Sequence, residues 1–404
     1  MKDIKIVIGA GFGDEGKGLM TDYFSSRSNN GIVVRFNGGA QAGHTVITPE
    51  GKRHVFGHFG SGTFLELPTY LSSFYVTNPL LFKKEYQTLK SLNISPVLYV
   101  DKNCLVSTPY DMMVNQIVES DRGCNRHGSC GVGFNETIYR SLQKDLRIEI
   151  RDFKDIKNLE YKLNFIRKEY VFNRLGELKV KEIPNNFLRY FESKNIIDKF
   201  IEDIQFMEKN IQTLDSSVLN SFNSIIFEGA QGLALDQNHK FFPHVTRSNT
   251  GMKNVVDILS ETNLDKENIE IVYTTRAYAT RHGAGPFPTE TRIYPNIVDS
   301  TNKPNPFQGA LRIGLLDTDF LIDLIDNDSE KFKYKRSIAI TCLDQIRNED
   351  LEFKVYFILN GNICSARDID FIQTLEERID PCHIYMSYGP TRETILSSQI
   401  KTFI

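Results

Sequence analysis

The stretch GFGDEGKG, residues 11–18, follows the apolar run IKIVI, residues 4–8, near the start of the chain. The spacing of Gly11, Gly16 and Lys17 matches the G-x-x-x-x-G-K pattern of a phosphate-binding loop. The apolar run before it predicts a buried strand. Together the two features indicate an α/β fold with a glycine-rich turn between a strand and a helix.

The same loop departs from an ordinary P-loop in two ways. Gly18 stands where a Ser or Thr hydroxyl would contact magnesium, and Asp14 and Glu15 place carboxylates where phosphate is expected. Because carboxylates repel phosphate, we expect Asp14 to have a metal ion as its partner or to transfer a proton. The alternative is a turn whose acids only favour the positive helix N-terminus. A P-loop motor or switch GTPase is excluded.

The composition is that of a globular protein with small-molecule partners. The chain has 404 residues, of which 40% are hydrophobic and 25% charged, and its net charge is -3. No basic excess indicates binding to nucleic acid or to an acidic membrane. No segment approaches the roughly 20 apolar residues of a membrane span, and no signal-peptide pattern precedes the first strand, so we expect a cytoplasmic protein.

The cysteines are scattered singly, without a C-x-x-C pair. They are Cys104, Cys124, Cys130, Cys342, Cys364 and Cys382. The pattern indicates neither a zinc site nor a disulfide framework, and we expect reduced thiols.

Further apolar runs bounded by glycine or polar turns predict strands along the chain, at 32–35, 97–100, 224–227, 269–274, 337–341 and 354–359. Several lack clean alternation, which is typical of strands covered on both faces and favours a mostly parallel central sheet.

Between about residues 145 and 223, charged residues combine with apolar residues at helical spacing, which predicts a helical insertion or a solvated scaffold. No Pro/Gly-rich boundary separates independent cores, so we expect one domain over residues 1–404.

A second glycine-rich turn, in VVRFNGGAQAGHTV at residues 33–46, ends just past His44. A lone histidine can be a core imidazole with one satisfied nitrogen. In a chain that also carries an acidic loop, His44 is a candidate acid or electrophile because its pKa lies near working pH. Asp14 and His44 are therefore interpreted as a base and an acid.

Other turns carry candidate binding groups. Ser129 lies in RGCNRHGSCGVG, where its hydroxyl and the nearby amides suit an anion. Gln231 follows a predicted strand, and its amide suits the carbonyl and N–H edge of a purine. Thr246 comes shortly afterwards. Each of these residues is also compatible with simple turn chemistry.

Two later stretches of the chain carry further candidate binding residues. TRAYATRHGAGPFPTE, residues 275–290, offers Arg276, Arg281 and His282 as cationic donors for phosphate or carboxylate. TCLD, residues 341–344, follows an apolar strand, as the T/N-K-x-D of GTPases does, and places Asp344 where it would accept from the two N–H groups of guanine.

These stretches together resemble the adenylosuccinate synthetase family. The matches GFGDEGKG, GGAQAGHT, FEGAQG, VTRSNT, TRHGAGPFPTE, GLLDT and SYGPTRET run in family order from residue 11 to residue 394. The resemblance implies a GTPase-type core and a ligase that joins IMP and L-aspartate with hydrolysis of GTP to GDP and phosphate, through 6-phosphoryl-IMP. It also implies Mg²⁺ and a homodimer.

The resemblance implies a role for each matching residue. Asp14 would draw the N1 proton from IMP while the 6-oxygen attacks the γ-phosphate of GTP, with His44 as acid and Lys17 carrying transferred charge. Asp14 and the carbonyl of Gly43 would hold magnesium. The expected triphosphate contacts are Gly13, Glu15, Gly16, Lys17, Gly18, Gly43, His44, Thr45, Asp344, Ser387 and Gly389. The expected contacts to the purine monophosphate are Asp14, Gln41, Ser129, Gln231, Thr246 and, from the neighbouring subunit, Arg140. Arg312 and Arg281 would hold aspartate.

The chain departs from the family pattern at four places. Ala40 and Gln41 replace a histidine and an asparagine, GSCGVG replaces G-T-T-G-R-G, Cys342 replaces a lysine, and the arginine-rich loop is contracted to QGALRIGLLD at residues 308–317. The contraction resembles a shorter archaeal-type branch, which includes viral synthetases that act on dGMP to make 2-aminoadenylosuccinate, with ATP or GTP.

Two alternatives to the IMP ligase follow from these departures. In the viral branch the base aspartate tends to be replaced by a smaller residue, so the presence of Asp14 favours IMP over dGMP. A catalytically silent purine nucleotide-binding protein is expected to lose Asp14, His44 or Lys17 first, and all three are present.

Overall fold

The computed structural model of the protein describes residues 2–264, 266–294, 307–346 and 353–399, together with residues 297, 299, 301, 302 and 304. The strands are β1 (Asp3–Gly9), β2 (Gly31–Arg35), β3 (His44–Ile47), β4 (Arg53–Phe56), β5 (Thr69–Leu71), β6 (Val76–Thr77), β7 (Leu98–Val100), β8 (Leu105–Val106), β9 (Gln212–Thr213), β10 (Ser224–Gly232), β11 (Ile269–Arg276), β12 (Ala279–His282), β13 (Leu311–Gly314), β14 (Leu316–Asp317), β15 (Lys335–Thr341), β16 (Val355–Leu359), β17 (Asn362–Ala366), β18 (His383–Ser387) and β19 (Ile395–Gln399).

The α-helices are α1 (Lys17–Ser25), α2 (Pro79–Ser91), α3 (Pro109–Arg122), α4 (Phe134–Ser141), α5 (Ile156–Phe165), α6 (Val171–Glu177), α7 (Asn185–Glu192), α8 (Asn195–Lys209), α9 (Lys253–Ser260), α10 (Thr318–Ser329) and α11 (Asp368–Ile379). The starts of α2 and α3 follow ordinary capping chemistry. Asn78 accepts from the N–H of Leu81 ahead of α2, and Thr108 forms a reciprocal capping box with Asp111 ahead of α3.

A large central sheet organises the fold, with strand order β19-β18-β15-β11-β1-β10-β2-β5-β7-β9. Neighbouring strands are parallel except for the edge pair of β18 and β19. β1 lies between β10 and β11, and its residues Ile4, Ile6 and Ile8 are fully buried. The predicted α/β class with a mostly parallel sheet is therefore confirmed, and the apolar run before the loop is buried because β1 is a central strand.

One predicted strand lies elsewhere. The run at residues 354–359 becomes β16, which pairs with β14 and β17 in a small sheet outside the central one. Its side chains alternate between buried Val355 and Phe357 and half-buried Tyr356 and Ile358. This alternation is typical of a sheet with one covered face, which explains why β16 is not a strand of the central sheet.

The helices of the stretch 145–223 share a hydrophobic core with other parts of the chain. Leu163 of α5 and Ile204 of α8 belong to the same buried cluster as Phe82 of α2 and Val114 of α3. A second cluster covers the central sheet. The helical stretch is thus packed onto α2 and α3, and its apolar stripes are internal.

Two further observations concern the described residues only. The cysteine thiols that the structure describes, Cys104, Cys130, Cys342, Cys364 and Cys382, form no disulfide, and the side chain of Cys124 lies outside the described set. In the same part of the chain, no helix has both the length and the apolar character needed to cross a membrane.

Candidate active site

A cleft of about 740 Å³ opens where the central strands end. Asp14 follows β1, Gln231 lies near the end of β10, and Arg276 and Thr341 end β11 and β15; all four line the cleft. The carboxyl ends of neighbouring parallel strands meet at one edge of a sheet, and ligands of open α/β sheets bind there. Most of the predicted site residues line the cleft: Asp14, Glu15, Gly16, Lys17, Gly18, Gln41, Gly43, His44, Thr45, Ser129, Gln231, Thr246, Arg281, Asp344 and Gly389.

The carboxylate of Glu15 occupies backbone amides that a P-loop would offer to phosphate. Its oxygens accept hydrogen bonds from the N–H of Gly11 at 2.6 Å and of Gly13 at 3.2 Å. The side chain is only 5% exposed, and burial raises its pKa to about 7. The loop therefore supplies its own acceptor, which explains how it accommodates an acidic residue. Gly13, predicted to contact the triphosphate, does not line the cleft because its amide faces Glu15.

Lys17 begins α1 directly after a left-handed turn at Gly16. Gly16 has a φ of 87°, and a Cβ there would lie 2.8 Å from Cγ2 of Thr341, so both conformation and space favour glycine. Lys17 is buried in the cleft wall, and burial lowers the pKa of its ammonium group against the opposing charges of Glu15 and Asp14. Its position suits contact with a phosphate group.

The backbone around Asp14 is held by side chains from three neighbouring strands. Asp14 has a φ of 58°, and its carbonyl accepts a hydrogen bond from Nε of Arg276 at 2.6 Å. Thr341 donates to the carbonyl of Glu15 at 3.2 Å, and Thr280 donates to the carbonyl of Gly13 at 3.4 Å. The Asp14 side chain is 31% exposed, so the loop presents its carboxylate to the cleft from a fixed backbone.

His44 is positioned by a buried carboxylate that the sequence reading did not single out. Its Nδ1 lies 2.7 Å from Oε1 of Glu228 in β10. Glu228 also accepts hydrogen bonds from the hydroxyl and the N–H of Ser61, and a guanidinium nitrogen of Arg35 lies 3.8 Å from it. His44 lines the cleft while Glu228 is fully buried. The arrangement fixes the ring and leaves Nε2 as the nitrogen for a ligand.

The charges around this pair determine its protonation. Burial alone would raise the pKa of Glu228, but His44, Arg35 and the hydrogen bond from Ser61 hold it at about 2. An ionised carboxylate only accepts hydrogen bonds, so the proton of the His44 ring lies on Nδ1. Burial lowers the pKa of His44 in the ligand-free site. An arriving phosphate group would raise it, because an opposite charge favours the imidazolium form.

Gly18 allows His44 and α1 to approach each other. A Cβ at Gly18 would lie 3.0 Å from Cβ of His44, 3.1 Å from Oγ of Ser61 and 3.1 Å from the carbonyl of Thr45. A Ser or Thr at this position, as in an ordinary P-loop, would crowd the hairpin of β3 and β4. The absence of a side chain at Gly18 therefore makes room for His44 beside α1.

The purine-side residues converge on the same cleft from separate segments. Gln231 has a φ of 66°, and the neighbouring backbone is held by Asn37, which accepts from the N–H of Ala230 at 2.6 Å and donates to its carbonyl at 3.1 Å. Ser129 donates to Oδ1 of Asn115 at 2.7 Å, and the N–H of Thr246 donates to Leu235. Their contact with a monophosphate remains a prediction.

At the other end of the cleft, Asp344 follows β15 through a left-handed turn at Cys342, whose φ is 60°. Asp344 and Gly389 both line the cleft. Ser387 is 1% exposed and donates its hydroxyl to the carbonyl of Gly389 at 2.7 Å, so it supports that turn and does not line the cleft. A direct contact between Ser387 and a base therefore requires rearrangement of this turn.

Arg140, predicted to contact the monophosphate in a neighbouring subunit, has internal partners in the structure. Arg140 is fully buried and pairs with both oxygens of Asp111, while its remaining donors reach the carbonyls of Leu146 and Val106. These polar contacts are all internal, and the role of Arg140 toward a neighbouring subunit stays a prediction. The sequence of α4 does not show that Arg140 is buried, because the same helix carries another charged residue, Glu136, four positions earlier.

The two arginines predicted for aspartate differ in position. Arg281 lines the cleft, lies 4.7 Å from the ring of Phe12, and donates to the carbonyls of Ala284, Pro286 and His244. Burial, together with the charge of Arg312, lowers its pKa to about 10. Arg312 lies opposite Arg281 in the β12–β13 pair but does not line the cleft, because it donates to loop carbonyls and pairs with Glu290.

Arg276 and His282 also have structural partners. Arg276 holds the carbonyl of Asp14 and pairs with Asp299, so it braces the loop and is not a free donor for phosphate. Nδ1 of His282 lies 4.0 Å from Oδ2 of Asp14. The position of Arg276 at the end of a predicted strand made it a candidate in the sequence. Its contact with the carbonyl of Asp14 depends on the register of β1 beside β11, which the sequence does not give. Nothing in FEGAQG distinguished Glu228 from an ordinary strand residue.

The oxygen atoms near Asp14 suit a hard cation. Within the described residues no three or more His, Cys, Asp and Glu side chains form a metal site. The Asp14 carboxylate and the exposed backbone of Gly43 line one cleft. Mg²⁺ commonly takes one or two protein oxygens and completes its shell with water and substrate phosphates, so this sparse donor set fits magnesium.

Comparison with known sequences gives a consistent result. A family model described as adenylosuccinate synthetase matches residues 6–364. The adenylosuccinate synthetase of Borrelia recurrentis (strain A1) is 29% identical over 407 residues, covering 99% of this chain and 89% of that protein. The adenylosuccinate synthetase of Prochlorococcus marinus subsp. pastoris is 33% identical over 392 residues, covering 93% and 83%.

Comparison with solved structures gives the same fold. A fully ligated adenylosuccinate synthetase from Plasmodium falciparum has a TM-score of 0.75 at 18% identity, covering 98% of this chain and all of that chain. The succinoaminodeoxyadenylate synthetase of cyanophage S-2L, bound to dGMP and dATP, has a TM-score of 0.59 at 13% identity and covers 98% and 95%.

Proposed function

Because the chain belongs to the adenylosuccinate synthetase family and is a ligase of that type, we propose that it joins IMP to L-aspartate, with GTP as the phosphate donor. The observation that carries this proposal is the presence of Asp14, Lys17 and His44 in one cleft, with His44 positioned by Glu228. These residues supply a base, a cation and an acid for the same reaction.

The first step is phosphoryl transfer. Asp14 removes the N1 proton of IMP while the 6-oxygen attacks the γ-phosphorus of GTP. The bond from the γ-phosphorus to the bridging oxygen breaks, and GDP leaves with the negative charge. Lys17 and His44 neutralise charge on the transferred group and on the departing β-phosphate.

The second step is displacement at carbon 6. The amine of aspartate attacks C6 of 6-phosphoryl-IMP, loses a proton, and expels inorganic phosphate to form adenylosuccinate. Arg281 is the arginine in the cleft wall that suits a carboxylate of aspartate, and its unused N–H groups are the donors for that contact.

Asp14 and the carbonyl of Gly43 would hold the Mg²⁺ ion. When bound, the ion would neutralise phosphate charge in the transition state. Gln231 would contact the purine edge with its amide, and Ser129 and Thr246 would contact the phosphate of IMP. A homodimer and a cytoplasmic location remain predictions.

Two features support the choice of IMP and GTP. The carbonyl of Asp14 is held by Arg276, so its carboxylate cannot easily retreat to make room for a 2-amino group beside N1. Asp344 lines the opposite end of the cleft, where a carboxylate suits the paired N–H groups of guanine. Adenine offers no such pair.

The test is release of inorganic phosphate by the purified protein with Mg²⁺, comparing IMP with dGMP and GTP with ATP in all four pairings. Each pairing is run with and without aspartate, and products are separated by chromatography. We expect IMP with GTP to be fastest and phosphate release to require aspartate. Fastest turnover of dGMP would instead support the 2-amino purine reaction, and no turnover in any pairing would contradict the proposal.

A further inference from the structure

The glycine-rich loop expected at the substrate phosphate has its backbone amides already engaged. The carboxylate of Glu119, in α3, accepts hydrogen bonds from the N–H groups of His127 at 3.3 Å, Gly128 at 2.9 Å and Ser129 at 3.3 Å. Glu119 is 3% exposed and also pairs with Arg122 at 2.9 Å. These three amides therefore face a protein carboxylate, and a phosphate in the cleft needs other donors.

Two histidines line the cleft next to this loop. His127 directly precedes the loop GSCG, and His244 lies two residues before Thr246. Their ring centroids are 5.5 Å apart in an edge-to-face arrangement, and Nδ1 of His244 lies 3.4 Å from the carbonyl of His127. Both residues are half-buried and line the cleft together with Ser129 and Thr246.

The backbone around the pair is closely packed. A Cβ at Gly128 would lie 2.5 Å from the N atom of Ala284, and a Cβ at Gly285 would lie 2.6 Å from Cβ of His244. Nη2 of Arg281 donates to the carbonyl of His244 at 2.8 Å. Three separate segments thus converge to place two imidazoles side by side in a preformed wall.

We propose that His127 and His244 bind the 5′-phosphate of the purine nucleotide substrate. The proposal rests on the proposed function, since it assigns donors to the monophosphate of that reaction. Among the described contacts, neither ring nitrogen of His127 has a protein hydrogen-bond partner, and Nε2 of His244 has none. His127 can therefore present an N–H group from either ring nitrogen. Nδ1–H of His244 faces the carbonyl of His127, so Nε2 of His244 donates to a phosphate oxygen in the imidazolium form.

The surrounding charges agree with an anion site. Arg122 and Glu119 face His127, and Arg281 lies behind the backbone of His244. Burial, Arg122 and His244 act together to lower the pKa of His127, against the opposing effect of Glu119. A bound phosphate supplies the negative charge that favours the imidazolium form, so ligand binding and protonation reinforce each other.

The test uses His127→Ala, His244→Ala and the double variant of the full-length protein. His239→Ala is the matched control, because His239 lies in the same segment as His244 but does not line the cleft. Binding of IMP and of inosine is measured by calorimetry at pH 7, and the KM values for IMP and aspartate and the kcat are measured by phosphate release. If IMP is not the preferred nucleotide, dGMP and deoxyguanosine take its place.

We expect each single variant to weaken IMP binding about tenfold, as for loss of a hydrogen bond to a charged group, and the double variant to weaken it further. Inosine binding, the KM for aspartate and the control variant should not change. An equal loss for IMP and inosine would show a structural role and overturn the proposal. A rise confined to the KM for aspartate would assign the pair to a carboxylate and overturn it equally.

Thermal unfolding of each variant is measured alongside. If the double variant does not fold, His127→Gln and His244→Gln repeat the comparison with polar side chains of similar reach. Wild-type protein that turns over no purine nucleotide would contradict the proposed function itself. Wild-type turnover with unchanged IMP binding in the variants would contradict only the assignment of the histidine pair.

Discussion

Nδ1 of His44 lies 2.7 Å from Oε1 of Glu228, and the two residues belong to segments far apart in the chain. His44 starts β3 at the cleft, whereas Glu228 lies in the middle of β10 and is fully buried. The contact makes Glu228 a positioning residue for the imidazole. It also places a fixed negative charge behind the ring that lines the cleft.

The first prediction concerns Glu228→Gln. The change keeps the shape but removes the charge that favours imidazolium, so we expect kcat to fall about 10²-fold while the KM for GTP changes less than about threefold. The pH profile of kcat should shift to lower pH, because the pKa of His44 loses its largest raising influence. The measurement is phosphate release between pH 5.5 and 9.

Glu85→Gln is the matched control, since Glu85 is another buried carboxylate beside a histidine, His58, but does not line the cleft. It should reduce stability without the shift in the pH profile of kcat. The same shift in both variants would contradict a specific role for Glu228.

The second prediction concerns Asp14→Asn. Loss of the base should lower kcat by about 10² or more, while the affinity for GTP measured without Mg²⁺ and without IMP stays nearly unchanged. Single-turnover phosphate release and calorimetry with GTP separate the two effects. Unaltered turnover in this variant would overturn the assignment of Asp14 as the base.

The third prediction concerns Gly18→Ala. The added Cβ would lie 3.0 Å from Cβ of His44 and 3.1 Å from Oγ of Ser61. We expect a loss of about 1–3 kcal/mol in the free energy of unfolding, from overpacking, together with a lower kcat. Urea unfolding and phosphate release measure both effects.

Gly176→Ala is the control for the third prediction. Gly176 lies in α6 with no atom within 4 Å of a Cβ placed there, and its φ is not in the left-handed region. This change should raise stability by about 0.5–1 kcal/mol without affecting kcat. A Gly18→Ala protein as active and stable as the control would show that the space beside His44 is not restrictive.

The fourth prediction concerns the pH dependence contributed by Glu15. Burial raises its pKa from 4.5 to about 7 in the folded state. Between these values the folded protein holds more protons than the unfolded chain, so stability falls as pH rises through this window and is fully retained below pH 4.5. The loss by pH 8 is on the order of 3 kcal/mol.

Urea unfolding of the wild type and of Glu15→Gln at pH 5 and pH 8 measures this loss of stability. Because the variant cannot ionise, it should gain stability relative to wild type as the pH rises. Parallel pH profiles of the two proteins would show that Glu15 is ionised at both values.

The fifth prediction concerns Arg140→Met. Removing the guanidinium leaves Asp111 as a buried charge without its partner, so we expect a loss of about 3–5 kcal/mol in the free energy of unfolding. The KM for the purine nucleotide should not change in the folded fraction. Arg367→Met, which breaks the exposed pair with Asp370, is the control and should leave the unfolding midpoint unchanged. A raised KM with normal stability would restore the predicted contact of Arg140 with substrate.

Many residues that the sequence singled out line one cleft because their motifs lie at strand ends. Asp14, Gln231 and Asp344 each follow or end a predicted strand, and parallel strands bring such positions to one edge of the sheet. Periodicity alone could not distinguish the isolated strand β16 from the central ones, because a short apolar run is compatible with both environments.

Residue roles that depend on distant partners were not predictable. Arg140 has the residue type of a phosphate ligand, but packing between α3 and α4 directs it to Asp111. Glu228 has the sequence features of an ordinary charged strand residue, yet it accepts hydrogen bonds from His44 and Ser61, which only the fold brings to it. The histidine pair of the cleft joins residues 127 and 244 in the same way.

By itself the sequence determined the α/β class, the burial of β1 and the acidic loop, because buried runs and glycine spacing are local properties of the chain. The tertiary structure decided which nitrogen of His44 faces the cleft and which side chains hold the backbone of the acidic loop. Hydrogen bonds and charge effects act over a few ångströms, whereas the residues that make these contacts are separated by up to 326 positions in the chain, as for Glu15 and Thr341. Only the packed sheet brings them within that range.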